Sequence, residues 1–545
     1  MFRSAVLIVF AITCAFSRPG FSQEKSPPAA KWKDAVSCDE FAPPKRQALG
    51  QSVGIERCLI VSEEVIFNVK REKFRRVEIR LTGTTDGWAS KEKGPRSIYF
   101  TDGPDFVFTQ SGLIGARARG IARYDASTGH GMTILYPEDR RHWNGKLYVT
   151  AHGAGSYGAI GNLVPREPGA RYNRLQNVNR YVTLMIDKGY AVAHTMRSSD
   201  RTRGDAVVTL EDGSTLKNNL SSHAGLITSW TQLVHNFISR KLGSRPKRTY
   251  FYGHSAGGFL GRLVNYQAGA NRDQQGNPVF DGFLLDDAGS GLWLPKLVID
   301  GIDTLFTTDE DRRRFAKQID ITHALYAGET GDYLHNKREN ARILRDKGLA
   351  DRHRMYEIRG VSHFDAGQVS RLDLVHQTLD LTGLFDALID GLDNWVEKGV
   401  PPAATKSDDP DLSGVGRDGK LRNPAVALPE VACPLGVYHL FPHGVNPGRR
   451  GGQETAFAPY DGVNLEPLDA RGQLVDMNGN GIRDRRETVT QAWQRLGLLK
   501  PGQSFNRAAY VKCVKSAADT LARQGLLPRR VAEDYVKRAT KTLLN

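Results

Sequence analysis

A serine between small residues is the feature of this sequence that points most directly to chemistry. The pentapeptide G-H-S-A-G at 253–257 follows an apolar run, 248–252, and precedes an amphipathic stretch, 259–264. A strand that turns this sharply into a helix strains the serine backbone, and glycines must flank it because larger side chains would collide. The turn exposes the hydroxyl, so the pattern predicts Ser255 as a nucleophile. A glycine-rich turn with a capping serine is the alternative.

A serine hydroxyl becomes an effective nucleophile when a base takes its proton and a carboxylate fixes the tautomer of that base. On a doubly wound sheet these partners follow the serine in the order acid, histidine. His363 lies on a loop directly after the predicted strand 354–358 and is therefore the expected base. The acid is expected after the predicted strand 324–327. Asp332 fits the usual interval there, and Glu329 is the alternative.

The oxyanion formed in such a reaction needs at least two converging N–H donors. The first is expected at Ala256, directly after the serine. The second is expected in the H-G-A-G loop at 152–155, where Gly153 and Ala154 follow a predicted strand. Glycine lets the backbone approach a ligand closely in such a loop.

The elements that would position these residues alternate between strand and helix, which predicts a mostly parallel sheet covered on both faces. Upstream of it, 77–81 and 132–136 alternate in polarity and predict a β-rich region. The long segment 291–320 is a candidate lid or pocket wall, with surface helices packed on the sheet as the alternative. The predicted strands of the parallel sheet are 147–151, 190–194, 248–252, 283–285, 324–327 and 354–358, and the helical stretches are near 176–188, 223–241, 256–267, 336–348 and 376–398.

The oxyanion loop, the serine pentapeptide, the acid loop and the histidine loop occur in that order along the chain. With this order, residues 130–400 resemble the α/β-hydrolase superfamily. The chain is most similar to exported bacterial proteins grouped as "alpha/beta hydrolase domain" proteins. Two further stretches carry that resemblance, G-F-L-L-D at 282–286 and L-P-E-V-A-C-P-L-G-V-Y at 428–438. The resemblance implies an α/β-hydrolase fold and ester hydrolysis, without naming a substrate. Because the second stretch lies after the expected triad, the C-terminal portion is expected to pack on the catalytic core.

The N-terminus reads as a secretory signal peptide, with a charged start, an apolar stretch at 5–15 and small residues before Gln23. The predicted organisation is a signal peptide at 1–22, a leader and β-rich region at 23–130, a catalytic core at 131–400 and an extension at 401–545. No other segment is apolar and long enough to cross a membrane. We therefore expect a secreted or periplasmic protein.

Four cysteines remain after removal of the signal peptide, and an even number in an exported chain suggests two disulfides. The economical pairing is Cys38 with Cys58 and Cys433 with Cys513, although the other two connectivities and free thiols stay open.

A second motif, at 476–487, has the spacing of a twelve-residue calcium loop. Oxygen ligands fall at positions 1, 3, 5, 9 and 12, a backbone carbonyl at position 7 and glycine at position 6, which is the EF-hand pattern. We expect structural Ca²⁺ here and no cofactor for catalysis; a turn rich in Asn and Asp is the alternative. The expected ligands are Asp476, Asn478, Asn480, Ile482, Asp484 and Glu487.

The net charge of +15 comes from basic residues dispersed among 60 acidic ones, so no nucleic-acid partner is expected. The predicted function is a secreted serine hydrolase that acts on a small or polymeric carboxylic ester. The alternatives are a serine peptidase and a non-catalytic, calcium-stabilised binding protein on the same fold. The sequence leaves the oligomeric state open.

Overall fold

The computed structural model describes residues 34–48, 51–91, 98–101, 117–125, 131–151, 180–196, 206–218, 223–267, 269–288, 298–299, 302–303, 308–325, 332–366, 377–440, 455–460, 476 and 482–542. Its strands are β1 (Val36–Ser37), β2 (Arg46–Ala48), β3 (Gln51–Phe67), β4 (Lys73–Lys91), β5 (Ile98–Thr101), β6 (Arg117–Tyr124), β7 (Gly131–Pro137), β8 (Lys146–Ala151), β9 (Ala191–Met196), β10 (Ala206–Leu210), β11 (Thr215–Asn218), β12 (Arg248–His254), β13 (Gly282–Asp286), β14 (Val298–Ile299), β15 (Ile302–Asp303), β16 (Lys317–His323), β17 (His353–Ile358), β18 (Gly436–Leu440) and β19 (Thr455–Pro459). Its α-helices are α1 (Arg180–Asp187), α2 (Ala224–Leu242), α3 (Ala256–Tyr266), α4 (Asp309–Arg314), α5 (Asp332–Leu344), α6 (Thr382–Lys398), α7 (Pro410–Ser413), α8 (Pro429–Ala432), α9 (Val489–Arg495), α10 (Arg507–Arg523) and α11 (Arg529–Lys541).

One large mixed sheet organises the part of the chain that the structure describes. Its main path runs β11-β10-β6-β4-β7-β9-β8-β12-β13-β16-β17. The pairs from β9 to β17 are parallel, and those from β11 to β9 are antiparallel. The predicted β-rich N-terminal region is thus continuous with the parallel part of the sheet, joined to it through β4 and β7. The carboxyl ends of β12, β13, β16 and β17 lie side by side at one edge, where parallel α/β sheets hold their sites.

Helices cover both faces of the parallel half, as predicted from the alternation of elements. Leu147 and Val149 of β8 pack in one apolar cluster with side chains of α2 and α3, whereas Tyr148 points to the other face. That second cluster contains residues of α1 and α6 and also Trp493 and Tyr510 of the C-terminal helices. The predicted packing of the C-terminal portion on the core is therefore present. The α/β-hydrolase fold class is confirmed.

One predicted strand is wrong. The sequence favours a strand at 324–327, but the strand of this part of the sheet is β16, which ends at His323. Its polar residues Gln318 and Asp320 obscure the apolar signal, yet they are buried, and Gln318 accepts a hydrogen bond from Asn265 of α3 while Asp320 contacts His353 of β17. Part of the predicted lid at 291–320 is accordingly helix α4 and the start of β16; 289–297 lie outside the described residues.

The two disulfides join Cys38 to Cys58 and Cys433 to Cys513, with Cα–Cα distances of 4.9 and 5.9 Å. These are the pairs that the economical reading of the sequence predicts. The second bridge ties α10 to the segment that follows α8. Within the described ranges, no helix combines the length and the apolar character that crossing a membrane requires. The predicted signal peptide at 1–22 lies outside those ranges.

Candidate active site

Ser255 lies at a sharp turn between β12 and α3. Its backbone has φ 58° and ψ −126°, a left-handed conformation that non-glycine residues rarely adopt. A Cβ atom on Gly253 would lie 2.4 Å from the carbonyl oxygen of Gly257, so a larger residue cannot replace that glycine without moving the backbone. The Ser255 N–H donates to the carbonyl of Asp286 at 3.0 Å. The strand, turn and helix predicted around the serine are all present.

The predicted oxyanion donors are only partly described. Ala256 is the first residue of α3, and amide groups of a first helical turn have no acceptor within the helix. The helix dipole adds positive potential at the same place, which favours an oxyanion. Gly153 and Ala154 lie outside the described residues.

His363 lies on the loop after β17, as predicted, and its ring faces a carboxylate. Its Nδ1 lies 2.5 Å from Oδ2 of Asp287. A ring that donates from Nδ1 to a carboxylate keeps Nε2 unprotonated and able to accept a proton. His254, inside the pentapeptide, contacts the carbonyl of His363 through Nε2 at 3.0 Å. The loop that carries His363 is thus attached to the strand that carries Ser255.

The carboxylate at Nδ1 belongs to Asp287 and not to either residue that the sequence favours. Asp287 follows β13, is fully buried and has φ 39°. Asp332 is the first residue of α5, and its side chain is not described; Glu329 lies outside the described residues. From the sequence the acid is expected after the predicted strand 324–327, whereas Asp287 follows β13, the strand that pairs with β12.

Asp287 accepts hydrogen bonds on both of its oxygens. Its Oδ1 accepts from Nζ of Lys337, on α5, and from the backbone N–H of His323 at 3.2 Å. Burial by itself would raise the pKa of Asp287. The positive charge of Lys337, with His323 and the hydrogen bond from His363, outweighs burial and holds that pKa well below its usual value. The carboxylate behind His363 is therefore ionised.

A second histidine completes this buried group of charges. His323, the last residue of β16, has Nε2 3.0 Å from Oδ1 of Asp286 and Nδ1 2.6 Å from the carbonyl of Ser362. Burial would lower its pKa, but Asp286 and Asp287 raise it to about 9. We call Asp286, Asp287, His323, Lys337 and His363 the Asp287 cluster. Four of its members come from the parallel strands or their following loops, and Lys337 comes from a covering helix.

Asp365 anchors the His363 loop on its other side. Its Oδ2 accepts from the hydroxyl of Tyr181, on α1, and from the N–H of Leu381 at 3.1 Å. Burial, assisted by the charge of Asp286, raises the pKa of Asp365 to about 7 against the opposing effects of the Tyr181 hydrogen bond and of His323. Asp287 therefore holds the ring of His363, and Asp365 holds the loop that carries it.

Sequence reasoning missed Asp287 and Lys337. A usable signal was present, since Asp286 is the last residue of the stretch at 282–286 that resembles the hydrolase family, and Asp287 directly follows it. The strand register makes β13 the direct neighbour of the serine's strand, so a carboxylate at its end lies near the site. Nothing in the spacing of Lys337 along α5 marks it as more than a surface lysine.

The predicted calcium loop is described only at Asp476 and from Ile482 onward; Asn478 and Asn480 lie outside the described residues. Glu487, the expected bidentate ligand, accepts from Arg495 through both oxygens at 2.7 Å. Asp484 is buried. Where the structure describes the chain, no three His, Cys, Asp or Glu side chains group in a way that could hold a metal. The carboxylate at position 12 is thus engaged with a cation of the chain, and the calcium site stays a prediction.

Comparison with known proteins finds similar solved structures and one matching family model. No curated protein matches the chain. Among solved structures, the native Est2 esterase from the Planctomycetes species Thermogutta terrifontis is 14% identical and covers 50% of this chain and 89% of its own, with a TM-score of 0.30. A hyperthermophilic esterase from the archaeon Pyrobaculum calidifontis is 12% identical, covers 50% and 82%, and has a TM-score of 0.27. Est1E from Butyrivibrio proteoclasticus is 11% identical, covers 50% and 98%, and has a TM-score of 0.26. Scores this low support no argument about function.

A family model decides the assignment. The model described as "alpha/beta hydrolase domain" matches residues 178–537, which is more than half of the chain and includes the serine turn, β13, β16 and the His363 loop. This chain belongs to the alpha/beta hydrolase domain family.

Proposed function

We propose that the protein is a serine hydrolase that cleaves carboxylic esters through Ser255, His363 and Asp287. The hydroxyl oxygen of Ser255 attacks the ester carbonyl carbon while Nε2 of His363 takes the hydroxyl proton. The tetrahedral intermediate collapses, the C–O bond to the alcohol breaks, and His363 gives its proton to the leaving alcohol. Water then attacks the acyl-enzyme by the same route and releases the acid.

The observation that carries this proposal is the hydrogen bond between Asp287 and His363, on a loop attached to the strand that leads to Ser255. Asp287 fixes the ring with Nε2 as the basic nitrogen and stabilises the imidazolium that forms. Its ionised state is needed for both tasks, and Lys337 favours that state. In this proposal Asp287 takes the role for which the sequence favours Asp332. The N–H of Ala256, together with Gly153 or Ala154, would hold the oxyanion.

The test is turnover of p-nitrophenyl acetate and butyrate by the wild type and by Ser255→Ala. We expect kcat to fall by about 10⁴ to 10⁶, because the nucleophile is lost while the fold is kept. Circular dichroism of the variant controls for folding. Equal activity of the two proteins would contradict the assignment of Ser255. A wild type inert on every ester would favour the non-catalytic binding protein, and cleavage of peptides alone would favour a peptidase.

Export to the periplasm or outside the cell is part of the proposal. The two disulfides support it, because such bonds persist in oxidising compartments. The substrate is proposed to be a small or polymeric ester, with no nucleic acid involved.

A structural calcium ion at 476–487 is a proposal of the same kind. Chelation by EGTA should then lower the Tm, and Asp476→Ala should remove that response. A Tm that does not change on chelation would contradict calcium binding and leave Glu487 as the partner of Arg495.

A further inference from the structure

Lys337 is a buried lysine whose ammonium group faces the carboxylate behind the base. Its side chain is 3% exposed, on the covering helix α5, and its Nζ contacts Oδ1 of Asp287. The other oxygen of the same carboxylate, Oδ2, contacts Nδ1 of His363. The lysine and the base thus face opposite oxygens of one carboxylate, so each alters the charge that the other experiences.

The charges of the Asp287 cluster balance. His323 lies between Oδ1 of Asp286, 3.0 Å from Nε2, and the carbonyl of Ser362, 2.6 Å from Nδ1, and the two carboxylates beside it favour its protonated form. Two carboxylates, Asp286 and Asp287, are therefore matched by two cations, His323 and Lys337. His363 is left as the group that changes charge during the reaction.

Among the described residues, other titratable groups near the cluster lie on β12, on the His363 loop, on α1 and on α3, whose Arg262 interacts with the charge of Asp287. Tyr252 of β12 donates to Oδ2 of Asp286 at 3.1 Å, His254 contacts the His363 loop, and Asp365 lies on that loop with Tyr181 of α1 against it. None of these groups is replaced in the variants compared below.

We propose that Lys337 is a positioning residue that cancels part of the Asp287 charge felt by His363, and thereby sets the lowest pH at which His363 works as a base. This inference rests on the proposed function of the triad. An unbalanced carboxylate makes a neighbouring imidazole more basic, and a lysine on the far oxygen opposes that effect. Lys337 therefore extends activity toward acid pH. A lysine with only a structural role would change stability or rate without moving the pH profile.

The experiment replaces the lysine with neutral residues in the full chain. Lys337→Met removes the charge and keeps the length; Lys337→Gln removes the charge and keeps a hydrogen-bond donor. The matched control is Arg338→Met, which removes the next cation on α5, one that pairs with Glu357 instead of Asp287. If one neutral variant does not fold, the other carries the test.

The readout is the pH dependence of labelling by a fluorophosphonate, which needs no knowledge of the natural ester. The hydroxyl oxygen of Ser255 forms a bond to phosphorus, fluoride leaves with the electrons of the P–F bond, and His363 takes the hydroxyl proton. The rate falls at acid pH as His363 becomes protonated. The midpoint of that fall measures the influence of the cluster on the base.

We expect the midpoint to move to higher pH by about one unit in Lys337→Met and Lys337→Gln, and to stay at the wild-type pH in Arg338→Met. At a pH below the wild-type midpoint this shift lowers the labelling rate about tenfold. Neutral variants with the wild-type midpoint, or a lower one, would overturn the inference while leaving the triad intact. A wild type that is not labelled at Ser255 would overturn the proposed function and the inference with it.

Discussion

Two buried carboxylates, Asp287 and Asp320, each contact a histidine and a cation, but they lie at different places relative to the strands of the sheet. Asp287 contacts a histidine, His363, and a buried cation, Lys337. Asp320, in β16, also contacts a histidine, His353 at 2.8 Å, and a buried cation, Arg262 at 3.2 Å. Both carboxylates are fully buried. A buried Asp–His–cation group is thus not by itself a sign of catalysis.

Position separates the two groups. Asp287 follows the carboxyl end of β13, beside the end of the strand that leads to Ser255, whereas Asp320 lies within β16 between two neighbouring strands. Arg262 belongs to α3, the helix that follows Ser255, so the Asp320 group fastens that helix to the sheet. One group acts on the base of the proposed triad, and the other holds the scaffold behind the nucleophile.

The cations differ as well. The guanidinium of Arg262 is permanently charged and planar, whereas a buried lysine can lose its proton when its partner is lost. Burial would raise the pKa of Asp320, but Arg262 and His353 hold it far below its usual value. A fixed cation suits a structural pair. A cation that can lose its proton, such as Lys337, suits Asp287, whose neighbour His363 changes charge in the proposed reaction.

The largest expected effect is on the catalytic side. Asp287→Asn should lower kcat by about 10⁴, because an amide can donate to Nδ1 and stabilise the wrong tautomer of His363. Turnover of p-nitrophenyl butyrate measures it. The matched control is Asp332→Asn, the acid that the sequence favours, for which we expect less than a tenfold loss. Reversal of these two results would return the triad acid to Asp332.

The sequence predicted most of the fold and two members of the proposed triad, for physical reasons. Ser255 and His363 lie beside strong local signals, a glycine-flanked turn and an apolar strand end. Asp287 depends on which strands are neighbours, and that pairing is a long-range property. β16 is not recognisable in the sequence because Gln318 and Asp320 are polar. Their burial is stabilised by partners distant in sequence, such as Asn265 and His353, which the local pattern does not show.

The next effect is on stability and belongs to the structural group. Asp320→Asn leaves the charge of Arg262 buried without its counter-ion, which should lower the free energy of unfolding by about 3 to 5 kcal/mol. The kcat of the folded fraction should change little. Urea unfolding measures this, with Asp287→Asn as the matched comparison. Asp287→Asn should lower the free energy of unfolding by less than Asp320→Asn does, because Lys337 can deprotonate and Arg262 cannot. Equal losses would remove the distinction between the two cations.

The smallest expected effect is a pH dependence that His323 gives to the Asp287 cluster. Its pKa is raised to about 9 in the folded protein, against about 6.5 for an unperturbed histidine. A raised pKa stabilises the fold fully below about pH 6.5, and that stabilisation is lost as the pH rises through about 9. The shift corresponds to roughly 3 kcal/mol. The free energy of unfolding is measured in urea between pH 6 and pH 9.5 for the wild type and for His323→Gln. Its fall over this range should therefore be larger in the wild type by about this amount.

His235→Gln is the matched control for that window. Burial, and secondarily Arg245, lower the pKa of His235 to about 3, so its contribution to stability is lost on the acid side, as the pH falls below about 6.5. That variant should follow the wild type between pH 6.5 and pH 9.5. A parallel alkaline decline in wild type and His323→Gln would mean that His323 is neutral in the fold. The two cations assigned to the Asp287 cluster would then reduce to Lys337 alone, and the carboxylates Asp286 and Asp287 would no longer be balanced.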